Sequence, residues 1–554
     1  MVSVSEIDTL WQYSVCIVIF FFTKNISLAL LRQIFYRYQN PMKLTQKLGL
    51  LLATMSIGHR SAAEPPTLIN PQKLPTQSGF ISGKTTPDKE VKIFMGIPYA
   101  TPPVGALRWK APLPAAAWKG VKQCQMPPPS AMQGTPRPFY CWTREFLAPE
   151  QPISEDCLYL NVWTAAKQTT EKRPVIVWIH GGGFVSGSGT VSLYDGEQMA
   201  RKGVVFVTIN YRLGVFGFLA HPQLSAENPK HTSGNYGLLD QMQALRWVKQ
   251  NIAAFGGDSS NVTVAGQSAG AHSICALMVS PLAKGLFSKV IAQSGGVFSF
   301  NKEGKFRSLE NNEAAGLRLT QQLGLASVEQ LRQLPADSLQ KMTGRWSVTC
   351  DKVVVPDVRT VFEAAAQNDA PLLTGWNLDD GVSFDRFTAA QFQAKIRRQY
   401  PDQADSILQI FPAATDAQAT ESEKLLNQFS FGWHSYSWAR EQAKTGKNKV
   451  FLYWFTHKPA GEPDFGAFHS AEFSYALHTL HYWNRPFTAW DFQLSEMMSS
   501  YWVNFARNGN PNGQTLPPWP AFQLQSPQIM RFGEEVKPNA VPYQAEFKFL
   551  DKIF

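Results

Sequence analysis

No Cys-x-x-Cys pair occurs in this chain. Its six cysteines, at positions 16, 124, 141, 157, 275 and 350, are too scattered for the common structural zinc modules. Charge of one sign is equally scarce: the formal net charge is +10 over 554 residues, and much of that excess falls in the first 63. No basic run is interleaved with aromatics, so nothing calls for a nucleic-acid partner. Long apolar runs are also missing. The stretch at residues 15–22 stops before Lys24 and is too short to span a bilayer alone. From residue 64 onward there is no low-complexity linker and no internal repeat, which makes one large domain the economical reading. What the chain does have is a hydrophobic content of 44% against 17% charged residues, the balance of a globular protein with a large core.

The N-terminal region reads as a processing signal. Met42-Lys43-Leu44-Thr45-Gln46-Lys47 is a basic start, residues 48–57 are apolar, and Ser61-Ala62-Ala63 is a small-residue cleavage site. The expectation is a signal peptide starting at Met42 and cleaved after Ala63, giving a leader over residues 1–63 and a folded domain over 64–554, exported to a periplasm or secreted. The mature chain is then expected to carry no stable membrane span. In an exported protein Cys157 is expected to pair with Cys124 or Cys141, whereas Cys275 reads as a small buried hydrophobe.

Through the middle of the chain, strand-like runs alternate with helical ones, the pattern of a mostly parallel sheet covered by helices. Residues 174–179, 203–208, 261–265, 289–292 and Val450–Phe455 read as strands. Leu238, Met242, Leu245, Val248 and Ile252 recur at helical spacing, so residues 238–253 are expected to form an amphipathic helix ended by Gly256-Gly257. Residues from about 300 to 440 look largely helical, as insertions capping the C-terminal edge of the sheet.

Gly266-Gln267-Ser268-Ala269-Gly270 stands between the 261–265 strand and a helix start at Ala271. A Gly-x-Ser-x-Gly in that position describes a tight, strained turn that projects the serine hydroxyl at a helix N-terminus. Its glycines are needed where a Cβ would strike the neighbouring strand and helix. The pentapeptide alone is weak, because a glycine-rich turn with a solvated serine looks the same. His180-Gly181-Gly182-Gly183-Phe184, just past the 174–179 strand, strengthens it by exposing backbone N–H groups with no side chain in the way. An acyl-transfer site needs such donors where negative charge collects on the substrate oxygen. Ser268 is therefore the candidate nucleophile. In this fold class an acid and then a histidine follow it along the chain. Of the later histidines, His469 lies in a loop after Val450–Phe455, where the base belongs; His478 and His481 read as packing or solvent-facing. Asp379-Asp380-Gly381, at the end of a strand-like run from Leu372, offers the acid.

Further motifs make the chain resemble the type-B carboxylesterase and lipase family, which includes bacterial para-nitrobenzyl esterases and animal cholinesterases. They include Ser154-Glu155-Asp156-Cys157-Leu158-Tyr159-Leu160-Asn161-Val162-Trp163, Asn210-Tyr211-Arg212-Leu213-Gly214 and Asn235-Tyr236-Gly237-Leu238-Leu239-Asp240-Gln241. Phe255-Gly256-Gly257-Asp258 and Asn508-Gly509-Asn510-Pro511 complete the set, and the likeness runs over residues 79–522. The resemblance implies an α/β-hydrolase fold, a mostly parallel central sheet flanked by helices with a helical cap from insertions. It implies a serine carboxylesterase acting through an acyl-enzyme on a small-molecule ester, with no cofactor and no metal. It makes Ser268 the nucleophile, His469 the base, Asp380 the acid, and the amides of Gly182, Gly183 and Ala269 the oxyanion hole. Arg108 with Glu155 and Arg212 with Asp240 match structural ion pairs, and Glu472 and Ser294 match positions beside the site.

The chain departs from the family in three places. The acid is usually Glu in an Asp-Glu-Gly motif; Asp380 is one methylene shorter, so its loop must come closer to His469, with Asp379 the fallback. Gln267 stands where cholinesterases usually carry Glu, and their choline-binding tryptophan has no match at its spacing, Trp142 being further upstream; both differences weaken a cationic-substrate reading. The family's partner for Cys157 has no clear match either, for Cys124 is early and Ala131 sits nearer its place. Alternatives are a lipase or an amide- or carbamate-cleaving hydrolase of the same fold, and, from another class, a non-catalytic binding protein that would have lost the serine or histidine.

Overall fold

Eleven strands form the central sheet of the computed structural model. In chain order they are β1 (Lys84–Thr85), β2 (Lys92–Pro98), β3 (Tyr159–Thr164), β4 (Arg173–Ile179), β5 (Val205–Ile209), β6 (Gly257–Gln267), β7 (Lys289–Gln293), β8 (Leu372–Asn377), β9 (Val450–Phe455), β10 (Gln528–Phe532) and β11 (Val536–Ala540). Across the sheet the order is β11-β10-β9-β8-β7-β6-β4-β5-β3-β2-β1. The strands from β10 to β5 run parallel, and antiparallel strands close both edges. This is the α/β-hydrolase arrangement. The structure describes residues 67–298, 307–382 and 386–553, within the unit Pro66–Phe554. The expected signal peptide, its cleavage after Ala63 and the start at Met42 lie outside the described residues.

The parallel strands are buried on both faces, and their period of two divides the core. Val175, Val177 and Ile179 of β4 join one apolar cluster, and Ile176 and Trp178 join the other. The first cluster also takes the buried sides of α1 (Tyr236–Asn251), α2 (Ala269–Val279) and α3 (Asp416–Thr445). The second takes Leu494, Met498, Tyr501 and Trp502 of α4 (Ala489–Asn508), on the opposite face.

Sequence expectation and structure differ in two local respects. The periodicity in α1 marks its apolar residues, but the helix is not amphipathic: Asp240, Gln241, Gln243 and Asn251 are buried as well. Asp240 is accommodated because Arg212 clasps it, with Nη2 to Oδ1 at 2.7 Å and Nε to Oδ2 at 2.8 Å. After α1 a short 3₁₀ turn runs to Phe255, and Gly256 closes it at φ +78°. The expected disulfide is absent: Cys124, Cys141 and Cys157 are free and buried. Cys141 packs in the second core cluster, whereas Cys124 and Cys157 pack in the first. Ala131 borders Cys157 in a small cleft, so no sulfur faces it there.

The stretch from 307 to 445 carries helices at Leu309–Gln322, Val328–Gln333, Ala336–Gln340, Val358–Glu363, Ala389–Gln399 and Ala404–Ile410, then α3, with β8 between them. Val328, Leu331 and Leu339 pack on Val215, Phe216 and Leu219 in a third cluster. Arg108 ties this cap down: it pairs with Glu155 at 2.5 Å and donates to the carbonyls of Arg332 and Leu334 at 2.8 and 2.9 Å. Among the described residues, no helix is long and apolar enough to cross a membrane.

Candidate active site

Ser268 sits between β6 and α2 at φ +57° and ψ −121°, a conformation that side-chain-bearing residues rarely adopt. The turn is held by contacts that permit only glycine on either side. A Cβ on Gly266 would stand 2.6 Å from the carbonyl oxygen of Ile179, and one on Gly270 only 2.0 Å from it. Strand β4 thus presses directly on the bend. The backbone N–H of Ser268 donates to Gln293 O at 2.9 Å, and its carbonyl accepts from His272 N at 2.9 Å.

Ser268 and His469 line one cavity of about 1050 Å³, together with Gly182, Gly183 and Ala269. Ala269 is the first residue of α2, so its N–H is one of the helix donors without an intrahelical partner. Gly182 and Gly183 turn at φ +103° and +63°, and a Cβ on Gly182 would meet Ser186 O at 2.1 Å. His180, which starts this run, is buried and stacked on Tyr211, with ring centroids 4.5 Å apart. Burial pushes its imidazole down to about 4.

The His469 imidazole is fixed on several sides. Its Nδ1 lies 2.6 Å from Asp380 Oδ1, and both residues are buried. The other oxygen of Asp380 accepts from Asn377 N at 2.9 Å. The shorter carboxylate reaches because its turn is laced to the histidine loop. Asp379 N donates to Ala467 O at 3.0 Å, Asp379 Oδ2 accepts from Ala467 N at 2.8 Å, and Asn377 Nδ2 donates to Phe468 O at 2.8 Å. Asp379, the fallback acid, is also ion-paired to Lys424 at 2.6 Å and so fastens this turn. Phe431 of α3 lies over the imidazole at 4.4 Å, and Trp142 meets it edge-on at 6.3 Å while donating to Ser470 Oγ at 3.2 Å.

His469 Nε2 lies 3.0 Å from the side-chain nitrogen of Gln267, the residue before the serine. An amide N–H donated to that nitrogen fits an imidazole whose proton is on Nδ1, toward Asp380. Glu472 is fully buried; its oxygens accept from Asn377 Nδ2 at 2.6 Å and Gln293 Nε2 at 3.1 Å. Burial, with the charge of Asp380 adding to it, pushes this carboxyl up to about 7. Ser294 is buried at φ +50° in the bend that follows β7.

Gln267, Trp142, Phe431 and His272 border the cavity without having been singled out for it by motif reading. Gln267, inside the Gly-x-Ser-x-Gly motif, and His272, four residues after Ser268, each had a local signal. The other later histidines stand elsewhere: His457 is paired with Asp491 at 2.8 Å, and His478 Nδ1 packs against Ser495 Oγ at 3.0 Å.

A serine on a strained strand-to-helix turn, sharing a cavity with a carboxylate-bound imidazole over a parallel sheet, defines an α/β hydrolase. Comparison with known proteins narrows the class. The sequence model of the Carboxylesterase family matches residues 70–550. Fumonisin B1 esterase of Sphingopyxis macrogoltabida is 36% identical over 494 residues, covering 83% of this chain and 86% of that protein. Para-nitrobenzyl esterase of Bacillus subtilis (strain 168) is 34% identical over 496 residues, covering 84% and 95%. A solved structure of PNB esterase matches with a TM-score of 0.75 at 31% identity, over 88% of this chain and all of that one. The chain belongs to the carboxylesterase family, whose members hydrolyse carboxylic esters by a serine mechanism.

Proposed function

We propose that the chain hydrolyses small carboxylic esters with Ser268 as nucleophile, His469 as general base and Asp380 as its orienting acid. The observation that carries this assignment is the 2.6 Å contact of His469 Nδ1 with Asp380 Oδ1 beside the cavity that Ser268 lines. His469 Nε2 takes the Ser268 proton as Oγ attacks the ester carbonyl, and Asp380 stabilises the resulting imidazolium. The amides of Gly182, Gly183 and Ala269 hold the oxyanion, each such donor contributing about 3–4 kcal/mol. The alcohol leaves with the proton from His469, and water deacylates Ser268 by the same route.

The test is Ser268→Ala. Hydrolysis of a short p-nitrophenyl ester should vanish while the melting temperature holds, and an organophosphate should label the native chain at Ser268 alone. Activity persisting in the variant would overturn the assignment. Residues 1–63 act as an export leader in this reading, supported by their basic, apolar and small-residue succession. N-terminal sequencing of the exported protein should begin at Glu64.

A further inference from the structure

We propose that the cavity selects esters whose acyl or alcohol part carries a free carboxylate, a specificity that rests on the ester-hydrolase reading above. Two full positive charges, Arg137 and Arg345, line the cavity, and no Asp or Glu is among the described residues around it. The arginines come from chain segments far apart in sequence that meet in space: a Cβ on Gly134 would lie 3.6 Å from the side-chain nitrogen of Gln340. Arg137 and Arg345 lie three and five residues beyond that contact, and both line the cavity. Neither has a carboxylate partner among the described residues, whereas Arg108, Arg212 and Arg332, packed around the same region, each clasp one.

The rest of the wall magnifies this imbalance. Trp142, Phe431 and Trp346 face the cavity and carry no formal charge. Apolar walls around charges of one sign focus the field into the cleft. A planar guanidinium also binds a carboxylate through two parallel N–H donors, a geometry an ammonium cannot match. The volume of about 1050 Å³ leaves room for an ester reaching from Ser268 to this wall. A cationic ester would meet two like charges and no carboxylate among the described lining residues, so this wall favours the anionic ester over it.

The experiment compares mono-p-nitrophenyl glutarate, which ends in a carboxylate, with p-nitrophenyl valerate, its neutral counterpart of equal chain length. Each kcat/KM is normalised by the ester's rate with hydroxide. The normalised ratio should favour the glutarate ester in the native protein. It should fall about 10-fold in Arg137→Ala/Arg345→Ala, about 3-fold for each exposed charge, mostly through the KM of the glutarate ester. Both side chains are exposed, so the melting temperature should report an intact fold. In the native protein, 0.5 M salt should shrink the ratio, since the Debye length drops well below 10 Å. A ratio near one, or one that neither substitution nor salt moves, overturns the selectivity while leaving the ester hydrolase standing. Failure to hydrolyse either ester, with no organophosphate label on Ser268, would remove the hydrolase reading and this proposal together.

Discussion

His469 and Gln267, which line the cavity, and Asp380 behind them are 3%, 2% and 0% exposed, and each is hydrogen-bonded to a neighbour from another element. At its rim, Arg137 and Arg345 are exposed, and Phe139, 60% exposed, pairs with Trp142 in a local turn. Floor residues are over-determined by packing, so their geometry cannot shift to suit a substrate. Rim residues are constrained mainly by their own loops, so a change there alters what enters and leaves the chemistry in place. Such a division lets one hydrolytic machine serve many esters.

The division breaks if floor substitutions are tolerated or rim substitutions abolish turnover. The largest effect should come from Asp380→Asn, which leaves the shape but favours the wrong histidine tautomer; kcat should drop roughly 10³- to 10⁴-fold, as steady-state kinetics will read. Asp379→Asn should cost less than about 10-fold, because Asp379 fastens the turn and does not meet the imidazole. Gly270→Ala puts a Cβ 2.0 Å from Ile179 O, and urea titration should show a loss of at least about 3 kcal/mol.

A pH effect follows from His180. Its imidazole is held down at about 4, below the 6.5 of an unfolded histidine, so between those values the unfolded chain binds more protons than the folded one. Its contribution is intact above pH 6.5 and is lost as pH falls toward 4, reaching about 3 kcal/mol. His180→Gln should flatten that part of the stability profile relative to the native protein. Gln267→Glu sharpens the comparison at lower amplitude. A carboxylate 3 Å from His469 Nε2 would stabilise the imidazolium, so the acid limb of the pH–rate profile should move to higher pH. The smallest effect belongs to the rim. Phe139→Ala removes a ring stacked 5.8 Å from Trp142 and should raise KM for aromatic esters a few-fold, with kcat nearly constant.

Much of the floor was legible before any coordinates. Val450–Phe455 is the strand its aromatic and β-branched run announces. The glycines around Ser268 and after His180 are legible as bends from the motif alone, although around Ser268 the contact that requires a missing Cβ is with Ile179 of β4. The helix at Tyr236–Asn251 was visible by its period, yet its buried polar side was not, because that side depends on Arg212 arriving from another part of the chain. The free thiols of Cys124, Cys141 and Cys157, the Gln267–His469 contact and the presence of Arg137 and Arg345 in one cavity lining have no local signature at all. Each is a distance between segments that only packing brings together.

The amino-acid order alone thus marked the candidate residues for the chemistry, since motifs and strand and helix periods are written over a few neighbouring positions. Tertiary structure decided which of them face one another, which nitrogen of His469 meets Asp380 and which charges line the cavity. Those are long-range separations, set when the two cores close on either side of the sheet and the cap settles over its edge.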